Sequence, residues 1–216
     1  QALRAAVRRV LSDVAKVGLS IIEPGVNPVV SYMRRLPRAV PPGTKFNYST
    51  GETDLVGVLV SNAVGKPLSQ YLSEKIWAPF GMEQDAIWVE DVAGHERGGC
   101  CMSMTLRDYG RVGMFMLGGG KAGGKQVVPA TWTKEATTSH ILVDPAHPEA
   151  GGYGDFWWIN PKAKAYEALG IFGQSITTFP DDKLVIAINS AWPAADTDEL
   201  NAARDSLTTA IRAAAR

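Results

Sequence analysis

The order of its predicted secondary structure assigns this sequence to the α+β class. Apolar residues at helical spacing dominate residues 1–150, short β-type runs follow over 156–188, and an alanine-rich helix closes the chain. Successive strands joined by turns favour an antiparallel sheet, whereas a doubly wound sheet would alternate strands with helices. The 216 residues are 45% apolar, enough for one domain with a sizeable core. We expect one domain over residues 1–216: a mainly helical region over 1–150, then antiparallel strands and the closing helix over 151–216.

Capping residues and helical periodicity predict the helices of the first region. Apolar residues recur at helical spacing over residues 3–17, and Gly18 ends this amphipathic helix. Asn27 as a cap and Pro28 at the first position start a second helix, which we expect to reach Leu36. Further helices are expected between these start and stop signals: Thr50 and Gly65, Pro67 and Pro79, Thr105 and Gly118, and from Pro129 around Trp132.

Short runs of β-branched and aromatic residues predict the strands. Residues 87–89 are a short candidate, and Gly123-Gly124 before Val127-Val128 indicates a hairpin. The surrounding segment 119–125 is glycine-rich like a phosphate-binding loop, but it follows a helix instead of a strand. The later strands are expected at 156–159, at 166–171 and 175–179 (one broken strand or two), and at 184–188.

The closing helix is predicted over residues 198–214. Its apolar residues at helical spacing share one face: Leu200, Ala203, Leu207 and Ile211. We expect this helix to pack on one face of the sheet and the earlier helices to pack on the other. An exposed sheet edge is also expected, and unpaired edges favour self-association, so a homo-oligomer is an open option.

Charge and hydropathy exclude several classes of partner. The formal net charge is zero, which gives no electrostatic reason to expect nucleic acid or an anionic membrane. No apolar run approaches the length of a membrane span. The compartment stays open between bacterial cytoplasm and periplasm.

The cysteines and histidines give no sign of a metal or cofactor. Cys100 and Cys101 are neighbours, so we expect them to pack as small apolar groups and not to form a disulfide. The three histidines, His95, His140 and His147, have no metal-ligand spacing and no carboxylate cluster around them in the sequence. We therefore expect solvated loop histidines, no metal and no cofactor.

Tyr48 is the strongest candidate functional residue on local chemistry. It lies just before a predicted helix N-terminus, where N–H groups are unpaired and the helix dipole places positive partial charge. That position favours the phenolate form of the side chain. The alternative is that Tyr48 is a half-buried aromatic residue that anchors the turn.

The segment 170–176 is a second candidate. Gly170 and Gly173 interrupt an otherwise good strand, and glycine inside a strand often marks the close approach of a ligand or backbone. A β-bulge without a ligand is the alternative.

A series of short motifs runs through the chain in a defined order. They are Phe46-Asn47-Tyr48-Ser49-Thr50, the apolar run 55–60, Gly65-Lys66-Pro67-Leu68, Pro79-Phe80-Gly81-Met82, the segment 101–108, Gly170-Ile171-Phe172-Gly173-Gln174 and Leu184-Val185-Ile186-Ala187. Together they resemble the serine β-lactamase-like superfamily over nearly the whole chain. Within it they most resemble the 6-aminohexanoate-dimer (nylon-oligomer) hydrolases, with class C β-lactamases and family VIII carboxylesterases as wider relatives.

The resemblance implies an enzyme of acyl transfer with three motifs: Ser-x-x-Lys for the nucleophile, Tyr-x-Asn, and Lys-Thr-Gly on a strand. It places Tyr48 as the group that moves the proton between nucleophile and leaving group, and Thr50 stands where that motif has Asn. It places Gly173, Gln174 and Ser175 at the strand motif, with a backbone N–H near Ser175 as an oxyanion donor. The Tyr48 hydroxyl is then expected to face a cleft shared with these residues. The strand motif lacks its lysine, which counts against β-lactam carboxylate recognition.

The nucleophile motif is absent from the sequence, because no serine is followed by lysine three positions later. The resemblance therefore implies the C-terminal portion of such an enzyme, with the nucleophile helix and the first strands in a missing N-terminal segment that completes it. The expected substrate is a small amide or ester, hydrolysed through an acyl-enzyme by the whole protein and not by this portion alone. Two alternatives stay open: a non-catalytic binding module of the same fold, and a penicillin-recognising peptidase or β-lactamase.

Overall fold

A computed structural model describes Glu23 and residues 25–215. The helix predicted over residues 3–17 lies outside these residues. The chain divides into two units: unit one comprises Gln1–Trp77 and Ala86–Ser103, and unit two comprises Ala78–Asp85 and Met104–Arg216. No helix in the described part is long and apolar enough to cross a membrane.

The described residues of unit one form mainly helices. The Asn27 side chain caps the first helix, because its Oδ1 accepts the Val29 N–H at 2.9 Å. Gly65 ends the second helix in the left-handed conformation, with φ of 65°. The described elements are α1 (Pro28–Met33), α2 (Thr50–Val64), α3 (Leu68–Leu72), the π-helical turn Ser73–Trp77, and the antiparallel strands β1 (Ile87–Trp88) and β2 (Met102–Ser103).

Two helix ends in unit one differ from the prediction. Ser49, not Thr50, caps α2: its hydroxyl accepts the Glu52 N–H at 3.4 Å, so Thr50 is the first helical residue. Helix α1 ends at Met33, whereas the sequence analysis expected it to reach Leu36. Its last backbone hydrogen bonds, including Leu36 N–H to Met33 O at 3.1 Å, span three residues, which is the tight turn in which helices often finish.

The cysteines of unit one also contradict the sequence prediction. Cys100 and Cys101 form a disulfide between neighbouring residues. Cys101 has a positive φ of 75°, so the chain here lacks the alternation that sends adjacent side chains of a strand to opposite sides. The expectation of two separate, small apolar groups is therefore wrong.

Unit two carries the remaining helices and the main sheet. Gly123 and Gly124 form the turn of the predicted hairpin, with φ of 56° and 73°. The helices are α4 (Ala78–Phe80), α5 (Leu106–Leu117), α6 (Ala130–Ala136) and α7 (Asp198–Ala214), with a 3₁₀ turn at Pro148–Ala150. The strands are β3 (Lys121–Ala122), β4 (Lys125–Gln126), β5 (Ile141–Leu142), β6 (Gly152–Tyr153), β7 (Trp158–Asn160), β8 (Ala165–Leu169), β9 (Ser175–Phe179) and β10 (Leu184–Ile188).

The main sheet is antiparallel throughout, which confirms the prediction. Its six strands lie in the order β10-β9-β8-β7-β6-β5. The sheet begins at Ile141, inside the region expected to be mainly helical, and β8 and β9 are two strands and not one broken strand. Within the described residues, β10 pairs with β9 alone and so forms an edge of the sheet.

Helices of unit two cover both faces of the sheet, as predicted. Helix α5 packs on one face, where a β-carbon on Gly113 would lie 2.5 Å from Val185 Cγ1 and 2.8 Å from Ile176 Cγ2. Helix α7 packs on the other face, where the Arg212 guanidinium lies 4.0 Å from the centre of the Phe179 ring. Residues 176 and 179 of β9 have opposite parity, so their side chains belong to opposite faces.

The packed side of α7 differs from the apolar face in the sequence. Thr208 is buried, and Arg212 donates to the Ala163 carbonyl at 2.8 Å. Leu207 and Ile211 are 50% and 38% exposed. The sheet therefore contacts a partly polar side of the helix, because arginine stems and aromatic faces pack well while the charged head keeps polar partners.

Candidate active site

Tyr48 lies where the sequence predicts it, two residues before the first turn of α2. The structure places it directly before the cap residue Ser49, with its side chain 41% exposed. Partial burial raises the pKa of the Tyr48 phenol above its ordinary value. This direction is opposite to the phenolate bias expected from the sequence, because the loss of hydration disfavours the charged form.

Close backbone packing holds the start of α2. A β-carbon on Gly51 would lie 2.7 Å from the Met33 sulfur of α1, and one on Gly99 would lie 2.8 Å from the Thr50 carbonyl oxygen. Glycine at these positions lets neighbouring segments approach the helix closely. Tyr48 and Thr50 therefore stand at a helix end that is fixed from two directions within unit one.

Asp54 is a residue of this region that sequence reasoning missed. It is buried, its Oδ1 accepts the Gly99 N–H at 2.8 Å, and its Oδ2 accepts from Arg97 at 3.3 Å. A buried carboxylate is stable when it is paired and hydrogen-bonded. Asp54 thus ties α2 to the loop at 97–99. The sequence shows only an aspartate on a predicted helix and, more than 40 residues later, the pair Gly98-Gly99. That pattern does not predict a contact between Asp54 and Gly99.

The second candidate segment lies in unit two, in the loop between β8 and β9. Gly173 has φ of 89°, and its N–H donates to the Gly170 carbonyl at 3.1 Å. The Gln174 side chain donates to the Ser190 carbonyl at 2.7 Å. The backbone N–H of Trp192 donates to the Phe172 carbonyl at 3.2 Å. The loop is therefore fastened to residues 190–196, a connection that sequence reasoning also missed.

Ser175 is the first residue of β9, which lies between β10 and β8 in the sheet. It is 2% exposed, and it pairs with Leu169 on one side and Ile188 on the other. Among the described residues its hydroxyl has no hydrogen-bond partner. Gly173, Gln174 and Ser175 thus lie together at the start of β9, whereas the cleft shared with Tyr48 stays a prediction.

One histidine has neighbours that the sequence analysis did not expect. Glu135, His140 and Asp155 bring one ligand-type atom each to within 4.8 Å of one another. The expectation that no carboxylate cluster surrounds the histidines is wrong for His140. The pairing of β5 with β6 brings Asp155 close to His140, although the two residues are apart in the sequence.

The fold and these motifs agree with a family comparison. Residues 7–210 match the model of the beta-lactamase family. The chain therefore belongs to the beta-lactamase family, and its fold is of the β-lactamase/transpeptidase type. The predicted resemblance and fold class are confirmed.

Individual relatives support the same subgroup. The chain is 32% identical over 162 residues to the 6-aminohexanoate-dimer hydrolase of Paenarthrobacter ureafaciens, covering 71% of this chain and 41% of that protein. A Bacillus anthracis structure named as a candidate 6-aminohexanoate-dimer hydrolase superposes with a TM-score of 0.77 and 27% identity, covering 85% of this chain and 48% of that chain. A family VIII carboxylesterase shares the fold, with a TM-score of 0.59, 14% identity, and coverage of 76% of this chain and 58% of that chain. The chain thus spans less than two thirds of each of these proteins.

Proposed function

We propose that this chain is part of a serine hydrolase that cleaves a small amide or ester through an acyl-enzyme. The observation that carries the proposal is the 32% identity over 162 residues to a 6-aminohexanoate-dimer hydrolase. That name describes an amide-cleaving enzyme, so a linear amide is the first substrate class to test. Esters are the second, because both classes react through a tetrahedral intermediate at a carbonyl carbon.

In the proposed reaction a serine hydroxyl attacks the carbonyl carbon and the leaving amine or alcohol departs with a proton. The serine and its lysine belong to a Ser-x-x-Lys motif outside these 216 residues, since no serine here has a lysine three positions later. Water then attacks the acyl-enzyme and releases the acid. Backbone N–H groups at the start of β9, near Gln174 and Ser175, are the proposed donors to the oxyanion.

Tyr48 is the proposed proton-transfer group. With its pKa raised by partial burial, it is a neutral phenol at neutral pH, a form that can donate a proton to the leaving group. To accept a proton from the serine it needs a cation close by, because a positive neighbour favours the phenolate. The lysine of the Ser-x-x-Lys motif has the right charge for that role.

Two other functions are less well supported. The segment Phe172-Gly173-Gln174 lacks the lysine of the family's strand motif, which argues against a penicillin-recognising enzyme. A non-catalytic binding module of the same fold would have no nucleophile, and the similarity to a protein named as a hydrolase argues against it. Reading the gene upstream of the codon for Gln1 separates these options: a Ser-x-x-Lys motif there supports the enzyme, and an intact reading frame without one supports the binding module.

The direct test assays the full-length protein on a linear amide, a p-nitrophenyl ester and a chromogenic cephalosporin. We expect turnover of the amide or the ester, and a mass increase equal to the acyl group on the nucleophilic serine after rapid quenching. The isolated residues 1–216 serve as the control and should be inactive. Hydrolysis by that control would contradict the external nucleophile, and turnover without a covalent adduct would contradict the acyl-enzyme.

Self-association is a separate part of the proposal. The edge strand β10 has one paired neighbour among the described residues, and such an edge can pair with the missing first strands or with another chain. Sedimentation velocity at several protein concentrations tests whether a homo-oligomer forms.

A further inference from the structure

A cluster of three ligand-type side chains lies on unit two, outside the segments proposed for hydrolysis. Glu135 belongs to the last turn of α6, His140 precedes β5, and Asp155 follows β6. One ligand atom of each lies within 4.8 Å of the others, and His140 Nε2 lies 3.8 Å from Asp155 Oδ2. Three separate stretches of chain thus supply the cluster.

Backbone hydrogen bonds hold these three stretches together. The Asp155 N–H donates to the Ala136 carbonyl at 3.0 Å, and the His140 N–H donates to the Tyr153 carbonyl at 2.9 Å. A β-carbon on Gly154 would clash with the Ala136 carbonyl oxygen, so the backbone at Gly154 packs directly against the end of α6. The Cα positions of the three ligands are therefore set by the fold before any ligand arrives, which lowers the cost of binding.

The charge of the cluster is poorly balanced. Two carboxylates face one imidazole, and within the described residues neither Glu135 nor Asp155 has a lysine or arginine at ion-pair distance. His140 and Asp155 are 44% and 31% exposed, so an ion and its waters can enter from solvent. A divalent cation would remove the repulsion between the two carboxylates.

We propose that Glu135, His140 and Asp155 bind a zinc ion, with water completing the coordination. Zinc accepts imidazole nitrogen and carboxylate oxygen at about 2.0–2.2 Å, so modest rotations of these partly exposed side chains bring all three atoms onto one ion. Magnesium and calcium prefer sites made entirely of oxygen, which disfavours them here. The ion would clamp the end of α6 to the β5 and β6 segments. This inference does not depend on the proposed hydrolase activity.

Isothermal titration of the EDTA-treated full-length protein with zinc chloride tests the proposal. We expect one zinc per chain, a rise in melting temperature at saturating zinc, and no matching response to magnesium. His140→Ala, Glu135→Gln and Asp155→Asn should each weaken zinc binding at least about tenfold, because each removes one of three ligands. The titration is run without a reductant, so that the Cys100–Cys101 disulfide stays formed and no free thiol competes for zinc.

His147→Ala is the matched control. His147 Nδ1 lies 3.2 Å from Glu149 Oε1, so it is also an exposed histidine beside a carboxylate, but it lies outside the cluster of three. Its substitution should leave zinc affinity unchanged. The proposal is overturned if the chain does not bind zinc at about 100 µM, if His140→Ala binds as tightly as the parent, or if His147→Ala weakens binding equally.

Discussion

The indole ring of Trp192 occupies the space that any side chain on Gly173 would need. A β-carbon built on Gly173 would lie 2.2 Å from Trp192 Cε2 and 2.4 Å from its Nε1. The backbone there has φ of 89°, which side-chain-bearing residues rarely adopt. Two independent constraints therefore require glycine in the loop before β9.

Gly173→Ala should destabilise the protein by about 3 kcal/mol or more, because it adds a steric clash to a strained backbone conformation. Urea unfolding measures the loss. Gly119→Ala is the matched control: its φ is 72° and its β-carbon would meet nothing within 4 Å, so its cost should be about 1 kcal/mol. Equal losses for the two variants would show that the indole does not contribute.

Tyr48→Phe tests the proposed proton-transfer group, because it keeps the ring and removes the hydroxyl. In the full-length enzyme we expect turnover to fall by roughly a hundred- to ten-thousandfold. Stability should change by about 1 kcal/mol at most, the value of one hydrogen bond. Tyr71→Phe, a tyrosine on α3, is the control and should keep full activity. Near-normal turnover in Tyr48→Phe would end the catalytic assignment.

Glu167 should limit stability at neutral pH. Burial raises the pKa of this carboxyl, although Thr177 Oγ1 donates to its Oε1 at 3.2 Å. A raised folded-state pKa means that the unfolded chain releases the proton first, so stability falls as the pH rises above about 4.5. Glu167→Gln keeps the acceptor for Thr177 and should be more stable than the parent at pH 7.

The gain from Glu167→Gln should disappear below pH 4.5, where the parent carboxyl is protonated in both states. Melting temperatures across pH 4 to pH 8 measure this difference. Glu149→Gln makes the same change at a side chain that is 74% exposed, and it should alter the melting temperature at pH 7 much less. A pH-independent effect of Glu167→Gln would mean that packing, and not titration, separates the variant from the parent.

Asp108 should stabilise unit two most strongly above acidic pH. The residue is fully buried, and it accepts from Glu83 N at 2.7 Å, Thr105 Oγ1 at 2.9 Å and Arg111 at 2.9 Å. Burial alone would raise the pKa of this carboxyl, but these hydrogen bonds outweigh it and the net pKa lies below the ordinary 3.8. Asp108→Asn should cost about 3–5 kcal/mol at pH 7, because an amide group faces donors that need acceptors.

The contribution of Asp108 to stability should rise with pH, whereas the contribution of Glu167 should fall. A lowered folded-state pKa stabilises the protein above 3.8, and the benefit is lost as the pH falls through the folded value. The variant and the parent should therefore converge in strong acid. Asp181→Asn, at an exposed surface aspartate, should change stability at pH 7 by about 0.5 kcal/mol at most.

Local signals in the sequence predicted most of the elements. Helix α7 spans Asp198–Ala214 as expected, because alanine-rich helical sequence and its acidic first turn act within a few residues of the chain. The hairpin at Gly123 and Gly124 was also predictable, since its turn conformation needs glycine. The family followed from motifs in order, each of which is weak alone.

The sequence could not predict the contacts between distant segments. Periodicity identified Leu207 and Ile211 as an apolar pair, but Thr208 is the buried residue and Arg212 contacts the Phe179 ring of the sheet. Asp155 meets His140 through the pairing of β5 with β6, and a backbone hydrogen bond from Asp155 to Ala136 brings Glu135 beside them. The shift in the pKa of Tyr48 depends on how much water packing removes, which the helix dipole alone does not reveal.

The strand order of the main sheet affects how the chain can find its fold. Among the described residues, each strand from β5 to β10 pairs only with its neighbours in the sequence, so every such pairing closes a short loop and costs little chain entropy. Low separation between contacting residues is the property that speeds folding most in small proteins. The sheet can therefore grow one hairpin at a time, and amide protection in pulsed hydrogen exchange should spread from strand to adjacent strand before the rest of the protein becomes protected.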